Sequence, residues 1–216
     1  MKARVVVLIS GGGSNLQALV NATKQPDCPY IIVSVISNRP GAGGLKRARE
    51  AGISQHAIDH KGYSDRPSFE ADLVRCIDSA APDFIVCAGF MRILTETCVA
   101  RYEGRMINIH PSLLPNFRGL NTHARAIASG VGFAGCTVHW VSAGVDEGAI
   151  IGQAIVPTKC GETPEGLAAR VVVQEHRLYP ACLDIVASGR AVLLDGANFI
   201  DGQRGTLAML PDGTLA

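Results

Sequence analysis

The stretch Arg4-Val5-Val6-Val7-Leu8-Ile9-Ser10-Gly11-Gly12-Gly13-Ser14-Asn15 decides how the rest of the chain is read. Its apolar run shows no alternation, as expected of a parallel strand covered on both faces. Leu16, Leu19 and Val20 follow at helical spacing. Strand, glycine turn and helix start in direct succession form an anion site, with free backbone N–H groups and the positive end of the helix dipole. The plainer alternative is a tight turn with no ligand. Three successive glycines let a ligand approach the backbone closely, which favours phosphate.

The kind of phosphate can be narrowed. No G-K-[ST] follows, so this is not a Walker loop. Gly11 and Gly13 match the first two glycines of a dinucleotide fingerprint, but Leu16 occupies the third place. The next apolar strand, residues 30–37, ends at Asn38-Arg39-Pro40 with no acid for a ribose. A phosphate monoester fits better than NAD.

Working outward, strands and helices alternate. A short helix around Leu45 and Ala48 stops at Gly52, and a brief strand follows near residues 56–58. Ser64 or Asp65 caps a helix with Pro67 early in it and Phe69, Leu73 and Ile77 on its buried face. Arg66 stands at its start and by itself reads as solvated. Residues 84–88 form another buried strand, running into Gly89-Phe90-Met91-Arg92-Ile93-Leu94, where parallel-sheet proteins keep binding loops.

After a helix at 95–102 comes Ile107-Asn108-Ile109-His110-Pro111-Ser112-Leu113-Leu114-Pro115. Asn108 and His110 are two apart, so in a strand their side chains leave one face. Pro111 keeps His110 extended and ends the strand. An amide and an imidazole at a strand exit can both hydrogen-bond one reacting oxygen. Buried polar residues closing a sheet are the bland alternative for either residue alone. His123 reads as a core histidine on the next helix.

Residues 137–141 and 150–156 read as an antiparallel pair, joined by Ser142-Ala143-Gly144-Val145-Asp146-Glu147-Gly148. Acids in such a connection are usually solvated, and Asp146 matters only if the loop folds over the His110 strand. Thr163-Pro164 opens a long helix. On it Glu175 lies four residues after Val171, beside the apolar face, where an acid needs a fixed donor. Two short strands flank an Asp195-Gly196 turn. The last residues carry too little hydrophobic content to matter to the fold. The fold expected is α/β, a Rossmann-like, mostly parallel twisted sheet with helices on both faces and an antiparallel strand pair toward the C-terminal half.

At 216 residues the chain suits a single domain, 1–216, able to bury roughly 70% of its unfolded surface. Within it, 1–100 reads as the phosphate-binding half and 101–216 as the catalytic half. Twenty Lys and Arg against nineteen Asp and Glu argue against nucleic acid as the main partner. The first apolar run is too short for a signal peptide or membrane span, so a cytoplasmic protein is expected. Seven scattered cysteines without C-x-x-C suit a reducing compartment. Cys136 and His139 have C-x-x-H spacing, but no second pair completes a zinc site, and no metal is expected.

Five motifs, in order along the chain, resemble the folate-dependent formyltransferases. They are Ile9-Ser10-Gly11-Gly12-Gly13-Ser14-Asn15, Ala88-Gly89-Phe90-Met91-Arg92-Ile93-Leu94, the block from Asn108 to Pro115, Val145-Asp146-Glu147-Gly148 and Gln174-Glu175-His176. The Asn108 block is common to the fold. The glycine loop and the short length point to the branch acting on a phosphorylated glycinamide in purine synthesis.

The resemblance implies a catalytic trio of Asn108, His110 and Asp146, and 10-formyltetrahydrofolate as co-substrate without a metal. It implies phosphate binding at Gly13, Ser14 and Asn15, with Glu175 on the ribose of 5-phosphoribosylglycinamide. It implies a folate site from Arg66, Met91, Arg92, Ile93, Leu94, Ser142, Ala143, Gly144, Val145 and Asp146. Gly12 and Ala143-Gly144 depart mildly from relatives, the latter from a more acidic loop. Formyltetrahydrofolate hydrolase and methionyl-tRNA formyltransferase are weaker expectations, since each usually carries a further domain. Weaker still is a non-catalytic phosphate-binding module, which gives Asn108, His110 and Asp146 no task. Monomer and homodimer are both open.

Overall fold

The computed structural model describes residues 1–214. The chain forms two compact units, Met1–Asn108 and Ile109–Ala216. In the first, the elements in order are β1 (Ala3–Ile9), α1 (Ser14–Ala22), β2 (Tyr30–Ser37), α2 (Gly43–Glu50), β3 (Ser54–Ala57), α3 (Arg66–Ser79), β4 (Phe84–Cys87), α4 (Glu96–Arg101) and β5 (Met106–His110), which carries the chain into the second unit. The strands are parallel in the order β5-β4-β1-β2-β3, so β1 is central. Val5, Val6, Val7, Leu8 and Ile9 are all fully buried, which is why that run lacks alternation.

Helix starts follow their local chemistry. The Asp65 carboxylate accepts the Ser68 N–H and Pro67 sits in the first turn of α3. Phe69, Leu73 and Ile77 form its buried face, as their spacing predicts, but Glu70 is buried with them. α1 starts differently: Gly13 is its N-cap at φ 75°, with no side chain capping it. A Cβ at Gly13 would lie 2.7 Å from the Gly44 Cα, so both its conformation and its surroundings call for glycine.

The second unit holds α5 (Thr122–Ala128), β6 (Phe133–Trp140), β7 (Ile150–Pro157), α6 (Pro164–Ala187), β8 (Ala191–Leu194), β9 (Ala197–Ile200), β10 (Gln203–Arg204) and β11 (Leu207–Met209). β6 and β7 are antiparallel, with a register irregularity at Val138/His139. α6 packs on both strands, burying Leu167, Val171 and Leu178. β8, β9 and β10 make a small antiparallel sheet, to which the Trp140 indole N–H is tied through the Asn198 side-chain oxygen, 2.8 Å away. Among the described residues no helix is long and apolar enough to cross a membrane.

One expectation is corrected here. The C-terminal residues do add structure: β11 pairs with β7 in parallel, and Met209 is only 3% exposed. A three-residue strand is held by backbone hydrogen bonds, so it needs only one or two inward side chains and leaves little compositional signal. Met209→Ala is expected to lower the unfolding free energy by about 2–5 kcal/mol, measured by urea denaturation. A change within experimental error would mean that this edge strand contributes no packing.

Candidate active site

In the first unit, the residues singled out from sequence stand at the carboxyl ends of strands, where open parallel sheets gather their sites. The glycine turn after β1 is fastened by α2. The Gly44 N–H donates to the Gly11 carbonyl at 3.0 Å, and Arg47 Nε donates to the Gly12 carbonyl at 2.8 Å. Gly13, Ser14 and Asn15 then form the exposed to half-buried start of α1. Ser10, buried at the end of β1, donates to Asn38 Oδ1 at 2.5 Å and accepts the Met91 N–H at 2.7 Å.

The segment 91–94 alternates in exposure. Met91 and Ile93 are exposed, Leu94 is buried, and Arg92 is half-buried with Nε shielded and hydrogen-bonded to nothing. Arg66 is exposed at the first turn of α3. Asn108, half-buried, ends this unit.

In the second unit, His110 ends β5 and is 6% exposed. Its Nδ1 is 3.2 Å from Asp146 Oδ2, and its Nε2 is 3.1 Å from the Phe117 carbonyl. Both ring nitrogens thus face oxygen acceptors, an arrangement suited to an imidazolium. Burial works against that charge and, with the neighbouring positive charges of His139 and Arg125, leaves the His110 pKa below its ordinary value. The Phe117 carbonyl and Asp146 oppose the fall. An imidazolium held this way releases its proton readily.

Asp146 reaches His110 because the 142–148 loop folds back on β6. It sits at φ 53°, the left-handed region that Asp tolerates better than most residues. Gly148 lies so close to β6 that a Cβ there would fall 1.6 Å from the Trp140 carbonyl oxygen. The Asp146 carboxylate accepts the Gly119 N–H at 3.0 Å and has His139 Nε2 at 3.7 Å from its second oxygen. Burial pushes its pKa up. The His139 ring, the Gly119 N–H and the histidine charges outweigh that, and the carboxyl titrates below its usual range.

His139 was missed as a site residue. It is 3% exposed, with Nδ1 at 2.8 Å from the Trp140 carbonyl. In the sequence it shows as one polar position in an apolar strand and as half of a C-x-x-H spacing, neither of which points to Asp146. Along the same loop, Ser142 is half-buried with its hydroxyl shielded and hydrogen-bonded to nothing, Ala143 and Val145 are exposed, and Gly144 packs against the Glu147 side chain.

His123 differs from the expectation of a core histidine. It is half-buried on α5 and lines a small cavity with Pro111, Leu113 and Phe117. Its shielded Nε2 has no hydrogen-bond partner, and burial and the His110 charge hold its pKa down. Glu175, 8% exposed on α6, adds to the burial that pushes the Cys136 thiol well up, which sets its charge near β6.

Residues 3–183 match the model of the formyl transferase family, and the chain belongs to that family. It is 44% identical over 200 residues to the phosphoribosylglycinamide formyltransferase of Escherichia coli, covering 93% of this chain and 94% of that one. It is 50% identical over 188 residues to the chicken trifunctional purine biosynthetic protein adenosine-3, covering 87% of this chain. It spans only 19% of that protein, about a fifth of its length. The structure of phosphoribosylglycinamide formyltransferase from Coxiella burnetii superposes with a TM-score of 0.91 at 44% identity, covering 99% of this chain and 98% of that one.

In a histidine NMR titration, His110 is expected to lose its proton below the ordinary imidazole range, because burial disfavours the cation. His139→Gln removes a positive neighbour and leaves Asp146 to His110, so the midpoint should move to higher pH. An unmoved midpoint would show that His139 does not act on this pair.

Proposed function

We propose that the chain transfers a formyl group from 10-formyltetrahydrofolate to the primary amine of 5-phosphoribosylglycinamide, a cytoplasmic step of purine synthesis. The observation that carries this reading is the buried His110–Asp146 pair at 3.2 Å, in a chain that belongs to the formyl transferase family. The E. coli and Coxiella proteins named for this reaction match nearly the whole chain in both directions, which supports this acceptor.

The nucleophile in this reading is the substrate's own amine, with a pKa of about 8, so a useful fraction is neutral at pH 7. Attack forms a bond from that nitrogen to the formyl carbon and leaves a tetrahedral oxyanion. The Asn108 amide and the His110 imidazolium, whose Nε2–H turns from the Phe117 carbonyl to the oxyanion, act as its donors, each worth on the order of 3 kcal/mol. The bond from carbon to the folate nitrogen then breaks. The proton lost by the attacking amine balances the one the folate nitrogen gains, and His110 carries it. Its lowered pKa suits this exchange, and Asp146 orients the ring.

Gly13, Ser14 and Asn15 take the phosphate on the α1 amides, and Glu175 takes the ribose hydroxyls. Arg66, residues 91–94 and residues 142–146 hold the folate. The first unit then carries the phosphate loop, and the second the acid–base pair.

Mixing the protein with both substrates tests the reading. Formylated glycinamide ribonucleotide is expected. Formate release without acceptor would identify a hydrolase instead, and phosphate-ester binding without turnover would identify a binding module. Asp146→Asn should lower kcat by roughly 10²–10⁴ while leaving binding of both substrates nearly intact. Turnover near that of the parent would remove Asp146 from the mechanism. Gly13→Ala should raise KM for the phosphorylated substrate, because its Cβ meets the Gly44 Cα at 2.7 Å and must shift the turn. An unchanged KM would place the phosphate elsewhere.

A further inference from the structure

The segment 91–94 has no regular secondary structure, yet buried side chains hold both its ends. At the near end the Met91 N–H donates to Ser10 Oγ at 2.7 Å. Ser10 is 3% exposed and donates in turn to Asn38 Oδ1 at 2.5 Å. Asn38 is 1% exposed and is held from its far side by His60, whose Nδ1 is 2.8 Å from the Asn38 carbonyl.

At the far end the Thr95 N–H donates to Glu70 Oε1 at 2.7 Å, and the Thr95 hydroxyl donates to Glu70 Oε2. Thr95 also caps α4 by accepting the Cys98 N–H. Glu70 is 4% exposed on the inner face of α3.

Glu70 is the unusual element. A buried carboxylate is expensive unless it is paired. Among the described residues, its only hydrogen-bond donors are the N–H and O–H of one neutral threonine. An apolar side chain would serve the packing of α3 better. What the carboxylate adds is direction: two oxygens grip two groups of one residue and leave the end of the segment a single position. Between the two anchors stand the exposed apolar side chains of Met91 and Ile93 and the shielded, unsatisfied Nε of Arg92.

We propose that Glu70 and Ser10 are positioning residues that pre-shape the backbone of residues 91–94 for the flat heteroaromatic ring of the formyl donor. This rests on the reading of the chain as a formyltransferase. The two anchors differ in reach. Glu70 touches only the far end of the segment. Ser10 is also the first residue of the glycine turn, so its hydroxyl joins the donor segment to the phosphate loop. Preorganisation of this kind raises affinity by removing the ordering cost of binding.

The test is a comparison of kinetic constants with thermal stability recorded alongside. Glu70→Ala should raise KM for the formyl donor by about tenfold, with KM for the phosphorylated amine little changed. Glu70→Gln, whose amide can accept the Thr95 N–H and donate to its hydroxyl, should recover most of the loss. Ser10→Ala should raise KM for both substrates. A folded Glu70→Ala protein with unchanged donor KM, or with both KM values raised alike, would overturn the proposal.

If Glu70→Ala does not fold, Thr95→Val, which removes the hydroxyl grip together with the α4 cap, is read the same way with stability recorded. Hydrogen exchange at the Met91 and Thr95 amides, measured without substrate, tests the tether apart from the activity. Slow exchange that is lost in the variants is expected, and equal exchange in parent and variants would refute the tether. A parent protein that transfers no formyl group would fail the functional reading but leave this measurement intact.

Discussion

Parallel hydrogen bonding of β1 to β2 on one side and to β4 on the other is the constraint on which the first unit depends. Strands that run the same way end at the same edge, so the glycine turn, the residues after β2 and the 91–94 segment emerge together. Their proximity is then used rather than merely tolerated. The Gly44 N–H and Arg47 fasten the glycine turn from α2, and the single hydroxyl of Ser10 joins the ends of β1 and β2 to Met91. Loops without regular structure acquire fixed positions because buried polar atoms must find partners. In this edge those partners follow different strands or, for the glycine turn, sit on α2.

The second unit meets a different requirement, that of bringing an acid onto a histidine. β6 and β7 are antiparallel, and their connection is long enough to turn back. Gly148 lets it lie against the Trp140 carbonyl, and the left-handed backbone of Asp146 aims the carboxylate at His110. Burial opposes charge on both partners, and the pair resolves this unequally. Donors from Gly119 and the histidines keep Asp146 ionised, while His110 is left short of its ordinary proton affinity. A ring whose two nitrogens face acceptors, yet which holds its proton weakly, suits proton exchange.

Much of the fold could be read from pattern. The unbroken apolar run of β1, the spacing of Phe69, Leu73 and Ile77, and the Thr163-Pro164 helix start all behave in the structure as their local chemistry dictates. β11 escaped because three backbone-paired residues carry almost no signal. His123 was read from its helical spacing, which cannot tell a core position from the wall of a small cavity. Glu70 went unremarked, and His139 was weighed only as half of a C-x-x-H pair, for one reason. Each is a polar residue in an apolar pattern, and pattern reading treats such a residue as noise until its partner is known.

The sequence by itself determined the parallel α/β class, the glycine turn before α1, the extended strand end at Asn108 and His110, and the family. These follow from chain-local properties: apolar periodicity, the φ freedom of glycine, the φ restriction of proline, and motifs of adjacent residues. Only the tertiary structure decided that Asp146 receives both His110 and His139, and that Glu70 and Ser10 grip the two ends of one segment. Those meetings join residues 7 to 81 positions apart. Such partners are chosen by how strands align and loops close, and neither composition nor spacing encodes that choice locally.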